Sequence, residues 1–357
     1  MELTILAIEL KLVKEPLKQT FKTSLQTVTE RESLIVRVTS GEGLEGFGEC
    51  VAFSTPWYTE ETVVGSRFII EQVLMPLLLN KTLGSPKQVA ELFAAVKGNH
   101  MAKSAIETAV WDLFAKKRGL PLWKMLGGSG APVPAGIVVA ADENKIGEQV
   151  AAAEFAGYSR VKIKITPASN AAHLKDIIGG YPDLLFFADA NGAFSEDSWE
   201  RLMEFDHAGF TLIEQPFGEQ QWLLHARAKR VMDTAICLDE SICSVADAER
   251  VIAEDAADIV VLKMGRLGGW SETLKVVELC RSHSIGMWVG GMVEFGVSKA
   301  HNLALASLPG ITLPGDFSAS RHFWEQDIIE PEITVESGEV QLSQDAGIGY
   351  RVDWDRL

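Results

Sequence analysis

Asp189, Glu214 and Asp239 follow one another at intervals of 25 residues, and each closes a short apolar run, LLFFAD, FTLIEQ or TAICLDE. Lys164 lies 25 residues before the first of them, in RVKIKI, and Lys263 lies 24 residues after the last, in DIVVLK. Three carboxylates brought to one rim repel strongly unless a cation sits among them. A donor set of oxygens without His or Cys favours a hard ion, Mg²⁺ over Zn²⁺, and Mn²⁺ can substitute. Asn191, two residues beyond Asp189, faces the same way along the strand and is placed to hold a metal-bound water or the substrate. Lys162 and Lys164 share a strand face, and with Lys263 they sit in runs too apolar for a solvated ammonium. A lysine crowded by cations titrates low and can act as a base. A metal flanked by lysines suits removal of a proton alpha to a carboxylate: the metal takes the enediolate charge while a lysine gives or removes the proton.

Other readings stay open on the residues alone. The acids could be N-caps of the helices that follow the strands, and the lysines could make structural salt bridges to them. A Schiff-base lysine of an aldolase would leave the three carboxylates without a use. A non-catalytic barrel that binds an anion or serves as an interaction scaffold is also compatible, because fold does not dictate function.

The elements that must position these residues follow from the same period. From Val133 onward, short β-branched runs (PAGIVVA, RVKIKI, LLFFAD, FTLIEQ, TAICLDE, DIVVLK, GMWVGG) alternate with helical stretches, which is repeated βα. Seven or eight such units predict an α/β fold, a (β/α)7β-type TIM barrel with the strand ends around one mouth; a doubly wound sheet is the alternative. Ahead of the barrel, LTILAIELKLV, ESLIVRVTS and LEGFGECVAF read as strands, and Glu60 to about Lys117 carries helical periodicity, an α+β unit. Its last helix puts Ile106, Ala109, Val110 and Leu113 on one face and stops at Gly119 and Pro121. The tail reads as extended segments and turns that pack back on this unit. The expected division is a capping domain of residues 1–126 with 325–357, and a catalytic barrel of residues 127–324. Two loops of the cap, residues 14–24 and 50–61, should lid the mouth and supply Phe21, Phe53, Trp57 and Tyr58 as an apolar wall for an aromatic or N-acylated substrate. Gly291 and Met292, in the GGM after the seventh strand, could offer backbone N–H groups to a second carboxylate.

Composition narrows the partners. With 47% apolar residues and a net charge of −16, the chain can build a large core but offers no basic surface for nucleic acid or an anionic membrane. No basic leader and no membrane-length apolar run is present, which predicts a cytoplasmic protein. Cys50, Cys237, Cys243 and Cys280 lack CxxC spacing and read as packed reduced thiols. The seven His residues read as non-catalytic.

Taken together, the helix AIETAVWDLFAKKRGLPLWKMLGG, the KIK of Lys162 to Lys164, the DAN of Asp189 to Asn191, Glu214 in IEQP, the DES of Asp239 to Ser241 and the KMGR of Lys263 to Arg266 resemble the enolase superfamily. The resemblance covers essentially the whole chain. It falls in the muconate-lactonizing subgroup and is strongest to the o-succinylbenzoate synthase / N-succinylamino acid racemase family. Sites of this superfamily pair a Lys or His base with Mg²⁺. The resemblance implies Asp189, Glu214 and Asp239 as Mg²⁺ ligands, Lys164 and Lys263 as the acid/base pair, and Lys162, Asn191, Glu240 and Arg266 in support. It implies dehydration to o-succinylbenzoate in menaquinone biosynthesis, with racemisation of N-succinylamino acids alongside. The partner would be a small carboxylate bearing a succinyl group, and the assembly a homo-oligomer. Muconate cycloisomerase or dipeptide epimerase is the alternative, with Arg266 favouring the succinyl family. Relatives that use a His near the seventh strand are excluded, because GGMVEFG stands there.

Overall fold

The structure, a computed structural model, describes residues 2–22, 26–139 and 143–357. β1 (Leu3–Lys22), β2 (Thr27–Ser40) and β3 (Glu45–Cys50) form an antiparallel sheet, with β4 (Thr82–Leu83) on the other edge of β1. The run LIV in β2 is continuously apolar because both faces of this sheet are covered. Leu34, Val36 and Val38 enter a core with Ala105, Ile106 and Ala109 of the helix His100–Arg118. Ile35 turns the other way, into the core shared with the barrel. The helix ends at Gly119 in the left-handed region (φ 63°), which glycine adopts at little cost.

Residues 14–24 are not the loop their composition suggests. β1 continues through Lys22, with a register irregularity between Pro16, opposite Glu30, and Phe21, opposite Val28. Pro16 has no N–H to give a ladder, so pairing lapses there and resumes beyond it. Thr23 and Ser24 of that segment, and Ala140 of PAGIVVA, lie outside the described residues.

Eight parallel strands make a nearly closed barrel: β5 (Val133–Val139), β6 (Arg160–Lys164), β7 (Leu185–Asp189), β8 (Leu212–Glu214), β9 (Ala235–Leu238), β10 (Ile259–Leu262), β11 (Gly286–Val289) and β12 (Gly315–Asp316). They pair in chain order from β5 to β11, and β12 joins the free edge of β5. Phe187, Leu212, Cys237, Val261 and Trp288 fill the interior, and a second shell of apolar residues packs the strands against the surrounding helices. Register turns the 25-residue period into neighbourhood. Lys164 pairs with Asp189 and Asp189 with Glu214. Asp239 lies two residues past Cys237, the partner of Glu214, and so keeps the same face.

The tail closes back on both parts. β14 (Glu339–Val340) pairs antiparallel with β5, and β13 (Ile329–Glu330) pairs with β15 (Arg351–Val352). The Trp354 carbonyl accepts from Lys11 Nζ at 2.7 Å, and the Ile348 N–H donates to Asp112 at 2.7 Å. Two buried acids join cap to barrel. Glu49 of β3 accepts from the N–H groups of Phe295 and Ser298, both at 2.9 Å, where the helix Gly296–Ala306 begins. Glu107 accepts from Ser271 at 3.1 Å, where the helix Trp270–Ser282 begins. Orphan N–H groups of a helix start favour such acceptors. No helix among the described residues is long and apolar enough to cross a membrane.

Candidate active site

The end of β6 places three cations on one face by alternation, Arg160, Lys162 and Lys164. Lys164 Nζ donates to Asp189 Oδ2 and to Asn191 Oδ1, both at 2.6 Å. Asn191 is itself held by Glu240, to which its amide donates at 2.8 Å. Lys162 Nζ lies 3.3 Å from Asp189, 3.3 Å from Glu214 and 3.0 Å from Asp316. The pattern of apolar surroundings suggested a low-titrating lysine at 162, and the structure corrects this. Burial works to lower its pKa, but Asp316, Glu214 and Asp189 outweigh it and hold Lys162 well above the ordinary value. Lys162 is a fixed positive charge. Arg160 supports Asp316 from beneath at 2.7 Å, and a Cβ on Gly136 of β5 would overlap its guanidinium, which accounts for a glycine inside that strand.

Across the barrel, Lys263 Nζ donates to Asp239 Oδ2 and to Tyr58 Oη, both at 2.8 Å. Arg266 is buried, not on the surface. It grips Asp239 Oδ1 at 2.8 Å, donates to the Ile242 carbonyl at 2.9 Å and bonds Tyr58. Burial tends to raise the Asp239 carboxyl, but Arg266 and Lys263 prevail and keep it ionised. Gly290 leaves room for the lysine: a Cβ there would sit 2.8 Å from Lys263 Cε.

Glu214 is the anomaly. Both carboxylate oxygens are buried without a hydrogen-bond donor, and so is Glu240 Oε2. Burial first, then the charge of Asp189, push the Glu214 carboxyl well above its usual range, and burial takes Glu240 to about 7. A buried anionic oxygen without a donor is costly. A divalent cation in contact with Glu214 would offset both burial and repulsion, so Asp189, Glu214 and Asp239 fit a hard metal ion. Their oxygens are not drawn into a tight cage here. Among the described residues, the set of three ligand types with atoms all within 4.8 Å is Asp206, His207 and Asp233, near the opposite strand ends. Backbone strain gathers at the mouth: Asn191, Gln215 and Val293 have φ of 43°, 41° and 53° just beyond β7, β8 and β11.

A cavity of about 490 Å³ opens here, lined by Lys162, Lys164, Asp189, Asn191, Asp239, Glu240 and Lys263. Phe21, Phe53, Tyr58, Gly291 and Met292 also line it, with Trp57 beside them. Phe53 packs on Trp57 with ring centroids 4.6 Å apart. The suggested use of GGM as N–H donors to a carboxylate is corrected in large part. The Gly290 N–H goes to the Leu262 carbonyl at 3.1 Å, and the Met292 N–H goes to Glu294. The sequence reading gave no site role to Arg160, Lys299 or Asp316, the last a loose continuation of the strand-end period, and it read His322 with the other histidines as non-catalytic. Arg160 was findable, since it continues the alternation of Lys162 and Lys164. His225 and His301 sit in packing roles, hydrogen-bonded to Phe217 N and to Trp270 and Phe47 respectively.

Comparison with known proteins decides the family. Residues 7–127 match the mandelate racemase / muconate lactonizing enzyme N-terminal domain, and residues 145–356 match the enolase C-terminal domain-like family. The chain belongs to the enolase superfamily. This enolase-superfamily enzyme is 41% identical to an o-succinylbenzoate synthase of Bacillus subtilis, over 95% of this chain and 92% of that one. It is 39% identical to an N-succinylamino acid racemase of Thermus thermophilus, over 97% and 94% of the two chains. Likeness to a chloromuconate cycloisomerase of Pseudomonas putida is lower, 29% over 98% and 97% of the two. The solved structure of an enolase-superfamily member from Listeria innocua superposes with a TM-score of 0.96 at 36% identity, covering 99% of this chain and 96% of that one.

Proposed function

We propose that this enzyme removes a proton alpha to a carboxylate, making o-succinylbenzoate by dehydration and racemising N-succinylamino acids at the same site. One observation carries the reading. Lys164 ends β6 and Lys263 follows β10, four strands apart in a ring of eight, so two ammonium-bearing side chains face one cavity from opposite walls with the acids between. The similarity to synthases and racemases acting on succinyl compounds supports it.

Asp189, Glu214 and Asp239 would hold Mg²⁺, which when bound supplies positive charge to stabilise an enediolate. Lys164, in its neutral form, takes the alpha proton on Nζ, and the C–H electron pair passes into the carboxylate as the enediolate. For dehydration the β C–O bond then breaks, its electron pair leaves with oxygen, and Lys164 returns the proton so that water departs. Asp189 and Asn191 aim Nζ, Glu240 aims Asn191, and Lys263 steadies the negative charge from the other wall. For racemisation each lysine serves one enantiomer: one removes the proton and the other delivers a proton to the opposite face. Lys162 neutralises the acids and stays charged throughout.

The deciding experiment compares kcat/KM for the cyclohexadiene precursor of o-succinylbenzoate, an N-succinylamino acid and cis,cis-muconate on one purified sample. Conversion of the two succinyl substrates is expected. Turnover of muconate alone would overturn the reaction while leaving the site assignment standing.

A further inference from the structure

Lys299 has no part in the chemistry above. It lies on the helix Gly296–Ala306, is 2% exposed and lines the same cavity. Among the described residues its one hydrogen bond is to a neutral acceptor, the Ser318 carbonyl at 3.0 Å, and none of their carboxylates makes an ion pair with it. The acid nearest in sequence, Glu294, also lines the cavity, but its oxygens are taken by Met292 N and by Asn302 Nδ2, the latter at 3.1 Å. A buried ammonium without a counter-charge is expensive, and such groups are normally paired. Around it the cavity wall adds Gln19, Ser318 and His322. Burial, then the charges of Lys299 and Lys18, hold the His322 imidazole below its ordinary pKa, so the ring beside Lys299 favours its neutral form.

Position argues for a ligand group remote from the reacting carbon. Lys299 follows β11 and Ser318 follows β12, whereas the acids belong to β7, β8 and β9. An anion bound at Lys299 is therefore a second one, distinct from the carboxylate whose alpha proton is removed. Lys299 also supplies the charge that the N–H groups of Gly290 and Met292, already engaged, cannot.

We propose that Lys299, with Ser318 and His322 beside it, forms the subsite for the terminal carboxylate of a dicarboxylate substrate. The inference rests on the proposed reaction for its choice of a succinyl chain, and its test is separable from that reaction. Lys299→Gln retains a donor for the Ser318 carbonyl while removing the charge, and Lys299→Met is the second neutral variant should the first fail to fold. Binding of succinamate, which has the terminal carboxylate but no reacting centre, is compared with succinamide by ligand-observed NMR on the full-length protein. Succinamate is expected to bind wild type and to lose about tenfold or more in affinity in the neutral variants, the scale of a lost charge-assisted bond, with succinamide unchanged. Alpha-proton exchange in D₂O should show the same split: a rise in KM for an N-succinylamino acid, and kcat/KM within about twofold for its N-acetyl counterpart. Equal succinamate binding in wild type and variant, no binding to wild type, or equal losses for both acyl groups would each overturn the subsite. Charge-dependent succinamate binding with no turnover of either succinyl substrate would keep the subsite and overturn the reaction.

Discussion

Two acidic clusters sit near opposite ends of the barrel strands, and their difference shows what makes carboxylates a site. Asp206, His207 and Asp233 have donor atoms within 4.8 Å of one another, so by distance they are the tighter group. Yet Asp206 spends its oxygens on the N–H groups of Asp233 and Thr234, at 3.2 and 2.8 Å, and Asp233 stands in solvent. Backbone donors and water already satisfy them. At the mouth the acids are buried, Asp189 and Asp239 accept from ammonium or guanidinium groups, and Glu214 has the Lys162 ammonium 3.3 Å away but no hydrogen bond to either oxygen. Unmet electrostatic demand, more than proximity, is the ground on which the metal site is proposed at the mouth.

The largest expected effect follows from that demand. Chelation with excess EDTA should lower turnover by about 10³-fold or more, and Mg²⁺ or Mn²⁺ should restore it, because a Lewis acid supplies several kcal/mol of charge stabilisation. Full activity in EDTA on protein shown to be metal-free would sink the distinction between the two clusters. Next come the lysines. Lys164→Ala and Lys263→Ala should each cut racemisation by roughly 10²- to 10⁴-fold, as loss of a positioned acid or base does. Their D₂O exchange should divide by enantiomer, each variant failing on the one its missing lysine deprotonates. Retention of racemisation by either single variant would falsify the two-base scheme.

How much of this was legible from sequence depends on whether the signal was periodic. Strand ends recurring every 24 or 25 residues carried the barrel and the positions of Lys164, Asp189, Glu214, Asp239 and Lys263, because a βα unit has a nearly fixed length. The extension of β1 through Lys22 was hidden, since Pro16 and the polar residues after it look like a turn until β2 is seen opposite them. Burial of Arg266 and Lys299 was equally hidden. A cation next to a helix start or within a helix reads as solvent-facing, and only the packing of the cap and the last barrel units encloses it. The role suggested for Met292 failed for a related reason: whether its N–H is free depends on Glu294 folding back two residues.

A third acidic position sharpens the comparison with an intermediate effect. Glu107 is buried like Glu214 but has donors, Ser271 N and Trp111 Nε1 at 3.1 and 3.3 Å, and burial raises its pKa to about 7 from 4.5. Between those values the unfolded chain releases the proton while the folded chain keeps it. The unfolded state then binds fewer protons, so stability falls as pH rises, by roughly 3 kcal/mol at most, and levels off above about pH 7. Glu107→Gln removes this titration. Denaturant midpoints from pH 4 to 8 should therefore show the variant gaining on wild type through that window. A constant difference across the series would mean that Glu107 titrates alike in the folded and unfolded chains, and that its hydrogen bonds from Ser271 and Trp111 offset the effect of burial.

The smallest effect belongs to the cluster that satisfies itself. Asp206→Asn keeps one carbonyl oxygen to accept from Thr234 or Asp233 but cannot accept from both as well as a carboxylate does, so about 1 kcal/mol of stability should be lost. Catalysis should be within about twofold of wild type, because Asp206 precedes β8 and so lies at the strand ends away from the lysines. Metal content after dialysis and the concentration of Mg²⁺ giving half-maximal turnover should match wild type. A rise in that concentration of tenfold or more would place a working ion at Asp206, and geometric closeness would then outrank unmet charge as the mark of a metal site in this protein.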